Sequence, residues 1–258
     1  MRGCFYGVGV GPGDSELMTL KAVRIIREVP VIAYPGGQPM DSTAWKIAAA
    51  SVPEIRDKEK LGIDVPMTRD AALLEGAHRR AIRQIEALLD QGKSVAYITL
   101  GDPTIYSSYS YLQADIMKDG YRVETVSGVP SFCEAAAKLN IPLSEWEEEL
   151  HIIPAAHMSE SFLSGRGTAI SEEIKKETDI ESPDFRGTIV CMKSGRKLKE
   201  LRERLIRRNK DLFMVANCGL EGEMVCRSAD EIPDNAGYYT ILIAKQAKCE
   251  SAESKTDS

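Results

Sequence analysis

Residues 4–14, CFYGVGVGPGD, begin as a run of β-forming side chains and end in glycines at alternate positions, Gly7, Gly9, Gly11 and Gly13. Six residues further on, Leu20, Val23, Ile26 and Val29 fall on one helical stripe, and Thr19 before them is a good N-cap. A strand that runs through glycines toward a helix is the usual bed for a phosphate, because glycine lets backbone approach closely and a helix start offers free N–H groups. The register here does not suit a dinucleotide. G-x-G-x-x-G begun at Gly9 would need glycine where Asp14 stands, and begun at Gly7 it would need glycine where Pro12 stands. A proline and an acid are poor neighbours for a pyrophosphate. They suit a ligand that is cationic or carries hydroxyls and amines.

Working outward, strands and helices alternate. Val29–Ala33 reads as a second strand, closed by Pro35-Gly36-Gly37, and a polar stretch follows. Residues 71–89 carry Leu73, Leu74, Ala77, Ala81, Ile82, Ile85, Leu88 and Leu89, the strongest helical stripe in the chain. Next come a buried-looking strand, Val95–Leu100, broken by Gly101-Asp102-Pro103, a helix over Ser108–Lys118, a strand at Val123–Val126 ending in Gly128-Val129-Pro130, and a helix over Ser131–Leu139. This alternation predicts a mostly parallel sheet covered on both faces, with ligands beyond the carboxyl ends of its strands. Three glycine-containing loops are expected there, after Val10, Leu100 and Val126.

The second half changes texture. Strands are expected at Leu150–Pro154, Thr188–Met192, Leu212–Asn217, Met224–Arg227 and Tyr239–Ala244, with one helix at Leu198–Arg208. Closely spaced strands without intervening helices predict a mixed or antiparallel sheet. Residues 158–185, rich in Ser, Glu and Gly, read as loop with a short charged helix. The expected organisation is α/β, in two domains over 1–127 and 128–248, followed by a polar, frayed tail at 249–258.

Composition narrows the function classes. With 258 residues and 43% hydrophobic side chains, the chain can bury a core of its own. No apolar run approaches the ~20 residues of a membrane span, and the N-terminus has no signal-peptide pattern. A net charge of −6 argues against broad nucleic-acid binding. The six cysteines lack paired zinc-type spacing, and Cys133, Cys191 and Cys218 read as small buried hydrophobes, so free thiols in a reducing cytoplasm are expected. His151 and His157 do not read as metal ligands, and no metal site is expected.

Some residues carry two readings. Asp102, at a strand end, either presents its carboxylate to a ligand or caps the turn or the helix after it. Ser131 either belongs to a site or simply opens a helix. The basic run Lys197, Lys199, Arg202, Arg204, Arg207, Arg208 and Lys210, interleaved with Glu200 and Glu203, is a solvated helix face or a polyanion contact.

Several blocks, in order, resemble the tetrapyrrole methylase family: YGVGVGPGD at 6–14, LMTLKAVRIIR at 17–27, VIAYP at 31–35, LGDPTIYS at 100–107, VSGVPSFCEAAAKLNIPL at 126–143, CMKSGR at 191–196 and ANCGLEGEM at 216–224. The resemblance implies enzymes that use S-adenosylmethionine (SAM) and hold it between two α/β domains. Within the family the blocks look most like those of the branch methylating C20 of precorrin-2 or cobalt-factor II, in cobalamin biosynthesis. Two departures stand out, Glu28-Val29-Pro30 and the Ser-rich stretch 158–185. By resemblance, Leu100, Gly101, Asp102, Ile105 and Tyr106 hold SAM, with Pro130, Ser131, Met192, Asn217 and Thr240 lining the rest of its pocket. Pro12 faces the junction with the tetrapyrrole. Asp102 and Tyr106 are the candidates for catalytic influence, and Arg69, Lys193 and Arg196 for the substrate carboxylates. The chemistry needs no strong protein base, since C20 is made electron-rich by its flanking rings. The implied partners are a small tetrapyrrole and a second copy of the chain in a homodimer, with neither nucleic acid nor membrane. The alternatives are another enzyme of the fold, such as a different precorrin methylase or diphthine synthase, and a non-catalytic SAM-binding regulator.

Overall fold

Val95–Thr99 (VAYIT) is buried at all five positions, the pattern of a strand covered on both faces. It is the fourth strand (β4) of a computed structural model that describes residues 1–64, 70–155 and 187–247. The chain divides into two units. One comprises Met1–Glu134 with Cys218–Glu221, the other Ala135–Asn217 with Gly222–Ser258. The expectations for residues 158–185, Arg69, His157 and the tail at 249–258 lie outside the described residues.

In the first unit, β1 (Cys4–Gly9), β2 (Val31–Pro35), β3 (Glu59–Ile63), β4 and β5 (Arg122–Val126) form a sheet of order β3-β2-β4-β1-β5. Every pairing in it is parallel. Side chains alternate between its two faces. Val8, Ile32, Ala96 and Ile98 pack with helices α1 (Leu20–Glu28) and α2 (Thr43–Ser51). Phe5, Val31, Val95 and Tyr97 pack with α3 (Ala71–Asp90) and α4 (Tyr109–Lys118) on the other side. Thr19 caps α1, accepting from the Ala22 N–H at 3.2 Å. That helix runs on to Val29, whose N–H donates to Ile25, and stops before Pro30, so β2 starts at Val31 and not at Val29.

The polar stretch before residue 71 holds two elements that were not expected. Helix α2 buries Ala44, Trp45, Ile47, Ala48 and Ala49, so it has no narrow apolar stripe to betray it. Strand β3 lies at the sheet edge and exposes Glu59 and Lys60, and charge of that kind protects an edge strand while hiding it from a hydrophobic pattern.

In the second unit, β6 (Glu149–Pro154), β7 (Gly187–Met192), β8 (Lys210–Ala216), β9 (Met224–Cys226) and β10 (Thr240–Gln246) form a sheet of order β6-β7-β10-β8-β9. Only β6–β7 is parallel, so the sheet is mixed. Leu198, Leu201 and Leu205 of helix α6 (Leu198–Ile206) close over Ile189, Cys191, Leu212, Met214 and Leu242. Each such leucine contributes about 1.5–3 kcal/mol by leaving water. Complete burial pushes the Cys191 thiol up to about 12, so it stays protonated and inert.

Helix α5 (Ser131–Leu139) corrects one expectation. Phe132, Ala135, Ala136 and Leu139 form its buried stripe, and Cys133, one position off it, is exposed. The apolar neighbours of Cys133 in sequence belong to a different helix face. Cys191 and Cys218 are buried, and the five described cysteines are all free.

Candidate active site

The parallel register sets Gly9 of β1 beside Thr99 of β4, and Val8 of β1 beside Val126 of β5. The three glycine loops therefore leave one edge of the sheet side by side, from neighbouring strands. They meet backbone on backbone. Gly11 and Gly101 exchange N–H···O bonds of 3.3 and 2.7 Å. A Cβ on Gly9 would lie 2.5 Å from the Gly101 carbonyl and 2.7 Å from the Gly128 nitrogen, so no other residue fits there. Gly101 itself sits at φ +69°, a conformation that side chains rarely adopt.

Asp102 locks this junction. It is 7% exposed. Its Oδ1 accepts from the Thr104 N–H at 2.8 Å and from the Thr104 hydroxyl, while its Oδ2 accepts from the Gly128 N–H at 3.0 Å. The carboxylate thus caps its own turn and ties the loop after β4 to the loop after β5. Thr104 had a signal in the sequence, an Asp followed two residues later by a group that completes an Asx turn. The Gly128 partner had none, because only the strand order brings it near.

The other candidates of this unit gather around the same edge. Pro12 and Gly101 are buried, while Leu100, Ile105, Pro130 and Ser131 are half-buried. Tyr106 is held at φ 47° with its side chain 47% exposed, and partial burial pushes its phenol pKa upward. A left-handed aromatic residue is uncommon and costs of order 1–3 kcal/mol. Deeper in the sheet, Tyr97 hydrogen-bonds Ser108 at 2.8 Å and Thr99 hydrogen-bonds Ser107 at 3.1 Å, anchoring the far end of the Gly101–Ser108 loop.

Charge selects among ligands. The loops Val10–Thr19, Leu100–Ser108 and Ser127–Pro130 contain Asp14, Glu16 and Asp102 and no Lys, Arg or His. A pyrophosphate would meet carboxylates with no cation to offset them. A ligand that brings positive charge, such as a sulfonium or an ammonium, suits those carboxylates better.

In the second unit, Met192, Asn217 and Thr240 come together at one sheet edge. Thr240 pairs with Ala216 and Ile241 with Met192, across β10. The Asn217 N–H donates to Tyr239 at 2.8 Å, and its Nδ2 donates to Gly222 at 3.2 Å. Thr240 is fully buried, and its hydroxyl donates to the Gly237 carbonyl at 2.6 Å. Lys193 and Arg196 lie on the loop after β7, beside the same edge. His151 is bonded to the Glu149 carboxylate at 2.9 Å, and among the described residues no group of three His, Cys, Asp or Glu side chains is placed to hold a metal ion. Among the described residues, no helix is long and apolar enough to cross a membrane.

Two α/β units, one with a glycine-built edge whose three loops carry no Lys, Arg or His, suit a small-molecule enzyme scaffold. The chain belongs to the Tetrapyrrole (Corrin/Porphyrin) Methylases, whose family profile matches residues 4–232. It is 37% identical to the "Probable cobalt-precorrin-2 C(20)-methyltransferase" of Methanocaldococcus jannaschii, over 94% of this chain and 96% of that one. It is 25% identical to the precorrin-2 C(20)-methyltransferase of a Sinorhizobium species, over 93% of this chain and 94% of that one. Its fold matches that of the uroporphyrin-III C-methyl transferase of Thermus thermophilus, solved in complex with S-adenyl homocysteine. There the TM-score is 0.62 at 21% identity, with 94% of this chain and 97% of that one covered.

Proposed function

We propose that the protein transfers a methyl group from SAM to C20 of precorrin-2 or of the cobalt-bearing cobalt-factor II, in cobalamin biosynthesis. The observation that carries this reading is end-to-end similarity to a C20-methyltransferase, 37% identical with 94% of this chain and 96% of that one covered. A cobalt-bearing substrate is favoured, since that relative is named for cobalt-precorrin-2 while the relative named for precorrin-2 is 25% identical. The cation-free loops support SAM independently of any relative.

SAM, when bound, supplies an electrophilic methyl on a sulfonium; its sulfur keeps the bonding pair as a neutral thioether. The nucleophile is the substrate's own electron-rich C20, which loses its proton to solvent as the new C–C bond forms. The protein's task is then positioning, and a rigid backbone junction performs it. In this reading Leu100, Gly101, Ile105, Tyr106, Pro12, Pro130 and Ser131, with Met192, Asn217 and Thr240, bind the cofactor. Asp102 acts through the loops it fastens, and the exposed Tyr106 side chain touches the reactants. The working form is a cytoplasmic homodimer, and the free thiols of the described cysteines suit a reducing compartment.

Anaerobic incubation with SAM and each tetrapyrrole, followed by mass spectrometry, tests the reading. One added methyl on either substrate is expected, faster on cobalt-factor II. SAM binding with no methyl added to either substrate would leave a regulator, or another enzyme of the fold, in its place.

A further inference from the structure

The loop after β7 runs Met192-Lys193-Ser194-Gly195-Arg196-Lys197 and is pinned to the segment that leads into β10. Ser194 is fully buried and gives both its N–H and its hydroxyl to the Thr240 carbonyl, at 3.0 and 3.1 Å. A Cβ on Gly195 would lie 2.1 Å from the Gly237 carbonyl, so the two strands of chain touch. On this rigid base Lys193 stands at φ 57°, in the left-handed region where glycine is the economical choice. Its ammonium lies 5.4 Å from the centre of the Tyr238 ring, and Tyr238 is braced edge-on by Tyr239 at 5.3 Å. Both tyrosines are exposed.

The cations nearby differ in how they are satisfied. Lys199 and Arg202 of α6 both bind Asp234, at 3.1 and 2.7 Å, and Arg204 binds Glu200 at 3.0 Å. Among the described residues, neither Lys193 nor Arg196 has a carboxylate within ion-pair distance, and Arg196 stands at the rim of an open cavity of about 420 Å³ whose other lining is mixed in charge: Lys197, Lys199, Glu200, Glu203, Asp234 and Asn235. A surface that neutralises its helix cations and leaves Lys193 and Arg196 of the loop without a carboxylate, one of them seated on an aromatic face, is prepared for an external anion.

We propose that Lys193, held by Tyr238, and Arg196 receive peripheral carboxylates of the tetrapyrrole and so set substrate specificity. The inference rests on the methyl-transfer reading above and deepens it. Lys193 and Arg196 are binding residues. Tyr238 is a positioning residue that acts through Lys193.

Steady-state kinetics under anaerobic conditions, with cobalt-factor II and SAM varied separately, tests it in the full chain. Lys193→Gly relieves the left-handed backbone, so its thermal midpoint is expected to equal or exceed that of the parent. The same variant is expected to raise KM for the tetrapyrrole about tenfold, with kcat and the KM for SAM unchanged, and to flatten the salt dependence of KM. Lys193→Arg should restore most of the affinity, and Tyr238→Phe should cost less than Tyr238→Ala, since the ring face is what holds the ammonium. A well-folded Lys193→Gly protein whose tetrapyrrole KM stays within about twofold of the parent would overturn the inference alone. So would an equal rise in the KM for SAM. If the parent methylates neither tetrapyrrole, the reading beneath the inference falls with it.

Discussion

The two sheet edges to which the proposed function assigns ligands are built from different material. At the first, beyond β1, β4 and β5, backbone packs on backbone: Gly9, Gly101 and Gly128 touch, and Asp102 bolts the loops together from within. At the second, around the loop after β7, the backbone is equally anchored, but side chains do the presenting: Lys193 over Tyr238, with Arg196 beside them. The three glycine loops of the first edge carry no Lys, Arg or His, whereas Lys193 and Arg196 at the second have no carboxylate partner among the described residues. An edge made of backbone sets position and tolerates almost no substitution, whereas an edge made of side chains sets preference and can be edited one group at a time.

The largest effect should come from adding one methyl group at the first edge. Gly128→Ala places a Cβ 2.2 Å from the Gly101 carbonyl, and the clash is with backbone, so a loss of more than about 3 kcal/mol, read as failure to give soluble folded protein, is expected. Gly237→Ala, at the second edge, meets nothing closer than 3.9 Å, and urea unfolding should move by less than about 0.5 kcal/mol. Equal losses from the two changes would erase the contrast.

Next in size is Asp102→Ala. It leaves the Gly128 N–H and Thr104 without their acceptor, which should cost about 1–3 kcal/mol in urea unfolding. Because the loops then separate, SAM affinity measured by calorimetry should fall by more than the stability loss alone implies. Unchanged affinity in the folded variant would remove Asp102 from the site.

A comparable but pH-restricted effect belongs to Tyr97, whose phenol burial pushes up to about 12. The folded state holds this proton more tightly than the unfolded chain, whose tyrosines titrate near 10. The stabilisation is therefore complete below about pH 10 and is lost as pH rises toward 12, by about 2–3 kcal/mol. Tyr97→Phe should flatten that part of the stability–pH curve, and an unaltered curve would show that the ring is not held as described.

The smallest effect is kinetic. In a Cys249→Ser background at neutral pH, iodoacetamide should label Cys133 first among the described cysteines, slowly, because partial burial raises its pKa. Labelling of Cys191 before Cys133 would place α5 in a different rotation.

Much of the first edge was legible beforehand, because glycines at strand ends are a one-dimensional signal for close backbone approach. The Thr19 cap, the α1 and α3 stripes and the three loops could all be read locally. Helix α2 and strand β3 could not, since one is apolar nearly all round and the other is charged like a loop. Cys133 misled because apolar neighbours in sequence lie on other faces of a helix. The partners of Asp102 were half legible: Thr104 is local, whereas Gly128 arrives only through the pairing of β1 with both β4 and β5. The pairing of Lys193 with Tyr238 was not legible at all. It depends on the antiparallel register that sets Met192 opposite Ile241, a fact of the sheet and not of either segment.

The carbon that receives the methyl group distinguishes this enzyme from others on the same scaffold. The most direct measurement is an anaerobic turnover with SAM labelled with carbon-13 in its methyl group, followed by NMR of the isolated product. A single labelled methyl on the meso carbon C20 is the predicted result. A label on a pyrrole ring carbon, with C20 still bearing hydrogen, would contradict it and assign the chain to a different methylation on the same scaffold.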